Sequence, residues 1–447
     1  MKCHSKTKFF LVVGLDNQGT EFVIGFMTNR GENFELELLV TTSSNSHVEV
    51  TVTAPLLFPG QILGYTEIRR GQIEKITLNK SLSGENVEHS NKGVLITATE
   101  EITVFGVNKA PHSTDGFVSF PTDSLGTEYI LVTWSFDGEF MIIGVTDGTI
   151  VNITLPTFFS TQLAVSYDNN NYINGDVFTV YLDRYQTFHC YQKNGDFTGT
   201  KIVANHPVSV FSGAKSVAVS DPMTKTSADH LVEQMIPVSM WGTKFFTIST
   251  PGRDNGDYFR IIASEDSTTI SVPGHTNHTI NATEYIQLNV DTGDYQMVTS
   301  DKAAMVVMFG KTTKTNDKDK LGDPHMTVIP PSPQYSSDYT FTTVTSSTGE
   351  FTNYAVVVID TSMTGELMVD NVLTDNQWTP INGSTNLVTA TFNLNPGYHS
   401  IYNNDPSATF MAIAFGNGKH ISYAYACGLR MALINAVSMS LIMYLDP

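Results

Sequence analysis

One strand motif occurs four times along the chain, and this repetition constrains the fold more than any other feature of the sequence. In each copy an apolar stretch ends in Phe, and a Gly and a basic residue follow within a few positions. The copies are EITVFGVNK (101–109), PVSVFSGAK (207–215), AMVVMFGK (304–311) and FMAIAFGNGK (410–419). Self-similarity at a period of about 100 residues is typical of tandem structural units.

A second motif recurs with a similar period. Its copies are GTEF (19–22), GTEY (126–129), GTKF (242–245) and SSDY (336–339), and a Phe-Pro or Ile-Pro element precedes the last three. Two motifs in the same phase predict four repeats, at 19–110, 111–216, 217–312 and 313–427. Residues 1–18 are then a leader or an extension of the first strand, and 428–447 form an apolar tail.

Apolar and polar residues alternate within each repeat, which predicts β-strands. DYFRIIASEDSTTISV, NLVTATFNLNPGYHSIYNN and KIVANHPVSVFSG each predict two strands around a turn. About seven such strands per repeat predict an all-β fold of four antiparallel, β-sandwich-like repeats. Closure of the repeats into a β-propeller is the alternative. In the repeated motif we expect the Phe to fill a core and the Gly to allow a tight exit from the strand.

Composition limits the partners and the cellular setting. The net charge is −19, which disfavours nucleic acid as a partner because that binding depends on Lys and Arg. Cys3, Cys190 and Cys427 are too few for a disulfide-dense scaffold, although one bridge stays open. The apolar runs near the two ends are too short or too interrupted to predict a membrane span.

The sequence contains no phosphate-binding loop and no nucleophile elbow, and it therefore predicts no enzyme. The segment DHLVEQMIPVSMW predicts at most one helical turn, ended by Pro237, with His230 and Glu233 at helical spacing. Asp229, His230, Glu233 and Trp241 are the candidate binding residues, because they lie in the one long connection with distinctive side chains. In the alternative interpretation, Met240 and Trp241 cap a core between repeats.

Two other patterns bear on ligands and modification. The acidic loops 168–177 and 316–325 do not match a calcium-binding loop, so no cofactor is predicted, and calcium stays an alternative. Sequons for N-glycosylation occur at Asn79, Asn152, Asn277, Asn281 and Asn382. They are compatible with secretion, and Asn152 would have to point outward from a strand.

Taken together and in order, KGVLITATEEITVFGVNK, FPTDSLGTEY, PVSVFSGAK, DHLVEQMIPVSMWGTKF and FGNGKHISYAYACG resemble the N-terminal domain of the IgG-Fc-binding protein family. The resemblance extends from about Gly19 to about Cys427, and the stretch 229–245 is its most specific part. Family members can carry a cysteine pair just before this stretch, whereas AKSVAVSDPMTKTSADH has none.

The resemblance implies a secreted, mucus-associated or cell-surface module that recognises other molecules without catalysis. The expected partner is an extracellular glycoprotein or mucin, and immunoglobulin Fc is a further candidate that no residue of this sequence identifies. Two alternatives remain open. One is a self-associating structural component of mucus or a surface, and the other is a calcium-dependent lectin or glycan-processing enzyme.

Overall fold

The computed structural model describes residues 15–31, 33–157, 163–220, 227–313, 321–344 and 351–435, and its named strands all pair antiparallel. The all-β prediction is confirmed, and a sandwich-like arrangement is consistent with the sheets. The described helices are short 3-10 turns at Lys80–Leu82, Thr122–Ser124, Val238–Met240, Ser332–Gln334 and Thr361–Glu366. No helix within the described ranges has the length and apolar character needed to cross a membrane.

The strands form four units, which are named here in chain order, and most strands pair within their own unit. The strand Glu88–Ser90 of unit one is an exception, because it pairs with the strand Thr187–Gln192 of unit two. Unit one contains β1 (Gly19–Ile24), β2 (Glu35–Thr41), β3 (Val48–Thr53), β4 (Ile62–Ile68), β5 (Ile73–Leu78), β6 (Glu88–Ser90), β7 (Val94–Ala110) and β8 (Ser113–Val118). Unit two contains β9 (Gly126–Ile130), β10 (Gly138–Gly144), β11 (Thr149–Thr154), β12 (Ala164–Tyr167), β13 (Asn170–Ile173), β14 (Val177–Leu182), β15 (Thr187–Gln192), β16 (Lys201–Val217) and β17 (Asp229–Gln234).

Units three and four follow in the same manner. Unit three contains β18 (Gly242–Phe246), β19 (Asp257–Ala263), β20 (Thr268–Ser271), β21 (His278–Ile280), β22 (Tyr285–Val290), β23 (Met297–Gly310) and β24 (His325–Ile329). Unit four contains β25 (Asp338–Thr342), β26 (Thr352–Asp360), β27 (Leu367–Val369), β28 (Val372–Leu373), β29 (Thr379–Pro380), β30 (Leu387–Leu394), β31 (Tyr398–Asn403), β32 (Met411–Gly418) and β33 (Ile421–Ala426).

One long strand organises each of the first three units. The first half of β7 pairs with β1 and β3, and β4 pairs with β3; this is the outer sheet. The second half of β7 pairs with β2 and β8, and β5 pairs with β2; this is the inner sheet. Units two and three repeat the order around β16 and β23. In unit four, two strands, β31 and β32, take the place of the long strand.

These long strands correct one prediction. KIVANHPVSVFSG is not a pair of strands around Asn-His-Pro, because it lies within the single 17-residue strand β16. Pro207 has no N–H to donate, and the pairing of β16 with β9 shifts register between Val203 and Val208. The chain therefore continues past the proline without turning, and its two halves pair with different strands, the first with β9 and β11 and the second with β10 and β17.

The last strand of each unit forms the centre of the molecule. We call β8, β17, β24 and β33 the ring strands, because β8 contacts β17 and β33, and β24 contacts the same two. By hydrogen bonding each ring strand belongs with the preceding long strand, so the units span 19–118, 126–234, 242–329 and 338–426. The predicted boundaries at 110, 216 and 312 lie before the ring strands, and those repeat boundaries stay a prediction.

The repeated motif lies where the long strand meets the ring strand. Phe105, Phe211, Phe309 and Phe415 are all fully buried, as expected for core residues. Gly106, Gly213 and Gly416 lie inside their strands, which corrects the expected tight exit at these positions, whereas Gly310 is the last residue of β23. In units one, three and four an aromatic ring of the ring strand covers the glycine. A Cβ on Gly106, Gly310 or Gly416 would lie 2.0–2.3 Å from the nearest ring atom of Phe117, His325 or Tyr423, respectively.

The second motif makes contacts between units. Gly126 lies against Pro237, and a Cβ on that glycine would come within 2.6 Å of the proline side chain. Gly19 meets Pro121 and Gly242 meets Pro331 in the same manner. Each Phe-Pro or Ile-Pro element therefore packs on the glycine that begins the preceding unit. This contact gives both parts of the motif a packing role.

Candidate functional site

The predicted helical turn at DHLVEQ is a strand, because these residues form the ring strand β17. Asp229, His230 and Glu233 are buried there, with exposed fractions of 0%, 0% and 2%. Their helical spacing therefore has no structural meaning. The binding role predicted for these residues stays a prediction. In the structure, Asp229 and Glu233 form hydrogen bonds with other strands.

Asp229 and Glu233 satisfy backbone groups of neighbouring ring strands. Asp229 Oδ1 accepts hydrogen bonds from the Thr114 N–H of β8 at 2.6 Å and from the His230 N–H at 2.8 Å. Glu233 Oε1 accepts from the Val328 N–H of β24 at 3.2 Å. Burial is the main cause that raises the pKa of both carboxyl groups well above the ordinary range.

His230 lies on the other face of β17, in a buried cluster with one residue of β10 and one of β15, two strands that lie beyond β16 in the same sheet. Glu139 Oε1 lies 3.6 Å from His230 Nδ1, and Glu139 Oε2 lies 3.1 Å from His189 Nε2. Burial raises the pKa of Glu139 and lowers that of His230 to about 4. Nothing in the sequence singles out Glu139 and His189, since each is an isolated polar residue within an apolar strand.

Trp241 is separated from this group and is 2% exposed. Its indole N–H donates to the Ile236 carbonyl at 3.0 Å, and Gln334 donates to the neighbouring Met240 carbonyl at 2.9 Å. Gln334 belongs to the connection between units three and four. The burial of Met240 and Trp241 is that expected of residues capping a core between units.

A pocket of about 290 Å³ opens where the ring strands begin, and we call it the axial pocket. His112, Ala228 and His420 immediately precede β8, β17 and β33, and Asp323 lies two residues before β24. Arg30 and Ser227 complete the lining. The axial pocket is therefore built from turns of all four units, which only the assembled ring brings together.

Asp323 is the most unusual group of the axial pocket. It is 1% exposed, and its Oδ1 has no hydrogen-bond partner among the described residues. Asp229 lies behind it, and its Oδ2 also lacks such a partner. Burial raises the pKa of Asp323 to about 7, whereas Arg253 and Arg30 lower it. Asp323 and Asp229 repel each other when both carboxyl groups are ionised. Asp323 Oδ1 and Asp229 Oδ2 can accept hydrogen bonds, so a bound group that carries hydrogen-bond donors would suit this pair.

Two arginines and two histidines surround this carboxyl group. Arg30 Nη1 donates to the Ala228 carbonyl at 3.1 Å, and Arg253 Nη1 donates to the Asp323 carbonyl at 3.0 Å. The rings of His112 and His420 meet edge to face with centroids 6.0 Å apart. Within the described ranges, no three His, Cys, Asp or Glu side chains are placed to hold a metal ion.

The remaining residues that the sequence singled out are surface asparagines, two buried cysteines and residues outside the described ranges. All five sequon asparagines are exposed, and Asn152 points outward from β11 as its sequon requires. Cys190 and Cys427 are buried free thiols. Cys3 and the first 14 residues of the predicted leader or first-strand extension lie outside the described residues. The tail is described only to residue 435.

Comparison with known proteins places the chain in a family. The family described as "IgGFc binding protein" matches residues 115–416, which include three of the four ring strands wholly or in part. The human IgGFc-binding protein is 25% identical over 384 residues, which cover 82% of this chain and 7% of the human protein. The chain thus corresponds to a small part of that relative. By the extent of the family match, the chain belongs to the IgGFc-binding protein family.

Proposed function

We propose that this chain is a non-catalytic, extracellular recognition module that binds a glycoprotein or a mucus component at the axial pocket. The observation that carries the proposal is the buried Asp323 carboxyl group, which lines the pocket and whose Oδ1 lacks a partner among the described residues. A buried acceptor without a partner costs free energy, and a donor from a bound molecule would recover it.

Two features support recognition rather than catalysis. The other buried carboxyl groups near the ring, those of Asp115, Asp229 and Glu233, accept hydrogen bonds from backbone N–H groups and so hold the strands. The chain also belongs to a family named for binding. The recognition surface would then be the turns around the pocket, which vary more freely than the strands behind them.

The extracellular setting is part of the same proposal. Exposed sequons at five positions suit passage through the secretory pathway. Immunoglobulin Fc enters as a candidate partner only through the name of the human relative, of which this chain matches 7%. A mucin or another glycoprotein is therefore the first partner to test.

Binding of the full chain to immobilised mucin and to immobilised IgG Fc tests the proposal, each measured with calcium and with a chelator. We expect saturable binding to at least one surface, and Asp323→Asn should weaken it by roughly tenfold, or about 1.4 kcal/mol. The matched control is Asp301→Asn, because Asp301 is exposed, does not line the axial pocket and accepts a hydrogen bond from the Thr269 N–H of β20. Thermal melts of both variants report whether they are folded.

The other outcomes separate the alternatives. Equal binding by Asp323→Asn and the wild type would remove the axial pocket from the proposal. Loss of binding in chelator would favour the calcium-dependent lectin. Absence of binding, together with assembly that grows with concentration in light scattering, would replace recognition with a self-associating structural role.

A further inference from the structure

The outer sheet of unit two presents an apolar surface that the described residues leave exposed. Ile150 and Val203 are each 39% exposed, Val177 is 55% exposed, and Tyr181 is 67% exposed. These residues lie on three adjacent strands, β11, β14 and β16. Single exposed apolar residues are ordinary, whereas neighbours on one sheet face form a patch, and exposed apolar patches often mark a surface that contacts another group. We call these four residues the outer patch.

Asn152 lies at the centre of the outer patch. It is directly opposite Thr179 on β14 and Val203 on β16. Ile150 precedes it by two positions and therefore lies on the same face of β11. Tyr181 and Val177 are the partners of Ile150 and Thr154, so each is a diagonal neighbour of Asn152. The sequon asparagine is thus bordered by every member of the patch.

The side chain of Asn152 is oriented for modification. Its Oδ1 accepts a hydrogen bond from the Thr179 hydroxyl at 2.8 Å. Its Nδ2, the atom that a glycan occupies, has no hydrogen-bond partner among the described residues. Thr154, the third residue of the sequon, lies on the same face of the strand. A sugar on Nδ2 would leave the bond to Thr179 in place.

We propose that Asn152 carries an N-glycan whose first sugars lie on the outer patch and shield it from water and from other chains. This inference rests on the proposed extracellular function, because the donor is a polyprenyl diphosphate-linked oligosaccharide of the secretory pathway. The Asn152 Nδ2 forms a bond to the anomeric carbon and loses one proton. The anomeric bond to the diphosphate breaks, and the polyprenyl diphosphate leaves.

Sugar chemistry suits this surface. One face of a pyranose ring presents C–H groups, which pack on an aromatic ring, while its hydroxyl groups stay in water. Tyr181 offers the largest exposed apolar side chain of the patch for this contact. The glycan, rather than another protein, would then cover the outer patch. It also explains why a sequon stands in the middle of a regular strand rather than at a loop tip.

The other four sequons provide internal references. Asn79 precedes a 3-10 helix, Asn277 and Asn281 flank the three-residue strand β21, and Asn382 lies between β29 and β30. None of the four lies inside a strand of an outer patch. Any glycan there would extend into solvent, so its removal should leave the folded protein almost unchanged.

Mass spectrometry of the full chain secreted from eukaryotic cells is the first test, with glycosidase release of N-glycans in heavy-oxygen water to mark occupied asparagines. We expect Asn152 to be occupied. Occupancy at other sequons with Asn152 unmodified would overturn this inference and leave the proposed function standing. Occupancy at no sequon would overturn both the inference and the extracellular setting.

The second test compares Asn152→Gln with Asn277→Gln, at an exposed sequon beside β21. We expect Asn152→Gln to lower the melting temperature by several degrees, to increase self-association and to increase the binding of a dye that reports exposed apolar surface, whereas Asn277→Gln changes none of these. Thr154→Ser keeps the sequon and should behave as the wild type. Replacing Tyr181 by Thr in the Asn152→Gln chain should restore the monomer. Identical behaviour of Asn152→Gln and Asn277→Gln would overturn the shielding role.

Discussion

At the residue scale, the residue type that a position can hold depends on the atoms that pack against it. The glycine of the repeated motif is required in unit four because the Tyr423 ring lies where its Cβ would be, 2.0 Å away. The same atom at Gly365, in the 3-10 helix Thr361–Glu366, would meet nothing within 4 Å. The same substitution can therefore be compared at a glycine that is tightly packed and at one that has open space around it.

We expect Gly416→Ala to lower the free energy of unfolding by about 2–3 kcal/mol, because the buried Tyr423 side chain must move to admit the methyl group. Gly365→Ala should change it by less than about 0.5 kcal/mol. Urea denaturation of both variants measures the difference. Similar values for the two would contradict the aromatic cover over the repeated glycine.

Asp323 predicts a pH dependence whose sign follows from its environment. Its pKa rises from an ordinary 3.8 to about 7 in the folded chain, mainly through burial. Between these values the folded state holds a proton that the unfolded state has lost, so stability from this group falls as pH rises from about 4 to about 7. Below that interval the contribution is fully present.

Asp323→Asn should remove this decline, which we expect to be on the order of 2 kcal/mol. Thermal or urea unfolding at pH 4.5 and at pH 8 gives the difference for the wild type and for the variant. Asp301→Asn, at an exposed aspartate, should retain the wild-type dependence. The assignment fails if Asp323→Asn and Asp301→Asn show the same change with pH.

At the element scale, buried carboxyl groups join the ring strands where no β-ladder does. Asp115 on β8 is the clearest case. Its Oδ2 accepts from the Val232 N–H of β17 at 3.2 Å and from the Met326 N–H of β24 at 3.1 Å, and its Oδ1 accepts from the Gly116 N–H. One side chain therefore bonds to three of the four ring strands, counting its own.

Asp115→Ala should lower the free energy of unfolding by about 3 kcal/mol or more, since it leaves three buried N–H groups without their acceptor. The matched control is Asp301→Ala, which removes one hydrogen bond to the Thr269 N–H at an exposed position and should cost less than about 1 kcal/mol. Comparable losses in the two variants would show that Asp115 does not bridge the strands.

At the scale of the whole molecule, the two ends of the described chain meet and join unit four to unit one. The Asn17 N–H donates to the Leu429 carbonyl at 3.0 Å, and Asn17 Oδ1 accepts from the Leu429 N–H at 2.9 Å. The Met431 N–H donates to the Leu15 carbonyl at 2.7 Å. This junction closes the cycle of contacts that the ring strands begin.

Asn17→Ala should lower the free energy of unfolding by about 1–3 kcal/mol, because it leaves the buried Leu429 N–H without its acceptor. Asn33→Ala, at an exposed asparagine of the same unit, should have an effect within about 0.5 kcal/mol. Denaturant unfolding followed by intrinsic fluorescence measures both. No difference between them would argue against this junction as a closing contact.

Period-two patterning was sufficient to predict strands, antiparallel sheets and a core of repeated phenylalanines, because alternation specifies which face of a strand is buried. It could not predict that β16 continues through Pro207, because the shift in register depends on the partner strand β9. It also could not distinguish Glu139 and His189 from surface residues, since their partners lie on other strands.

The sequence by itself determined the fold class, the repeated motifs and the family, and it singled out Asp229, His230, Glu233 and Trp241. Only the tertiary structure decided that these four residues are buried, that the axial pocket forms around Asp323, and that Asn152 stands within the outer patch. The physical reason is distance along the chain. Asp229 meets Thr114, 115 residues away, and Asp115 meets Met326, 211 residues away. Such pairs exist only after the ring has closed.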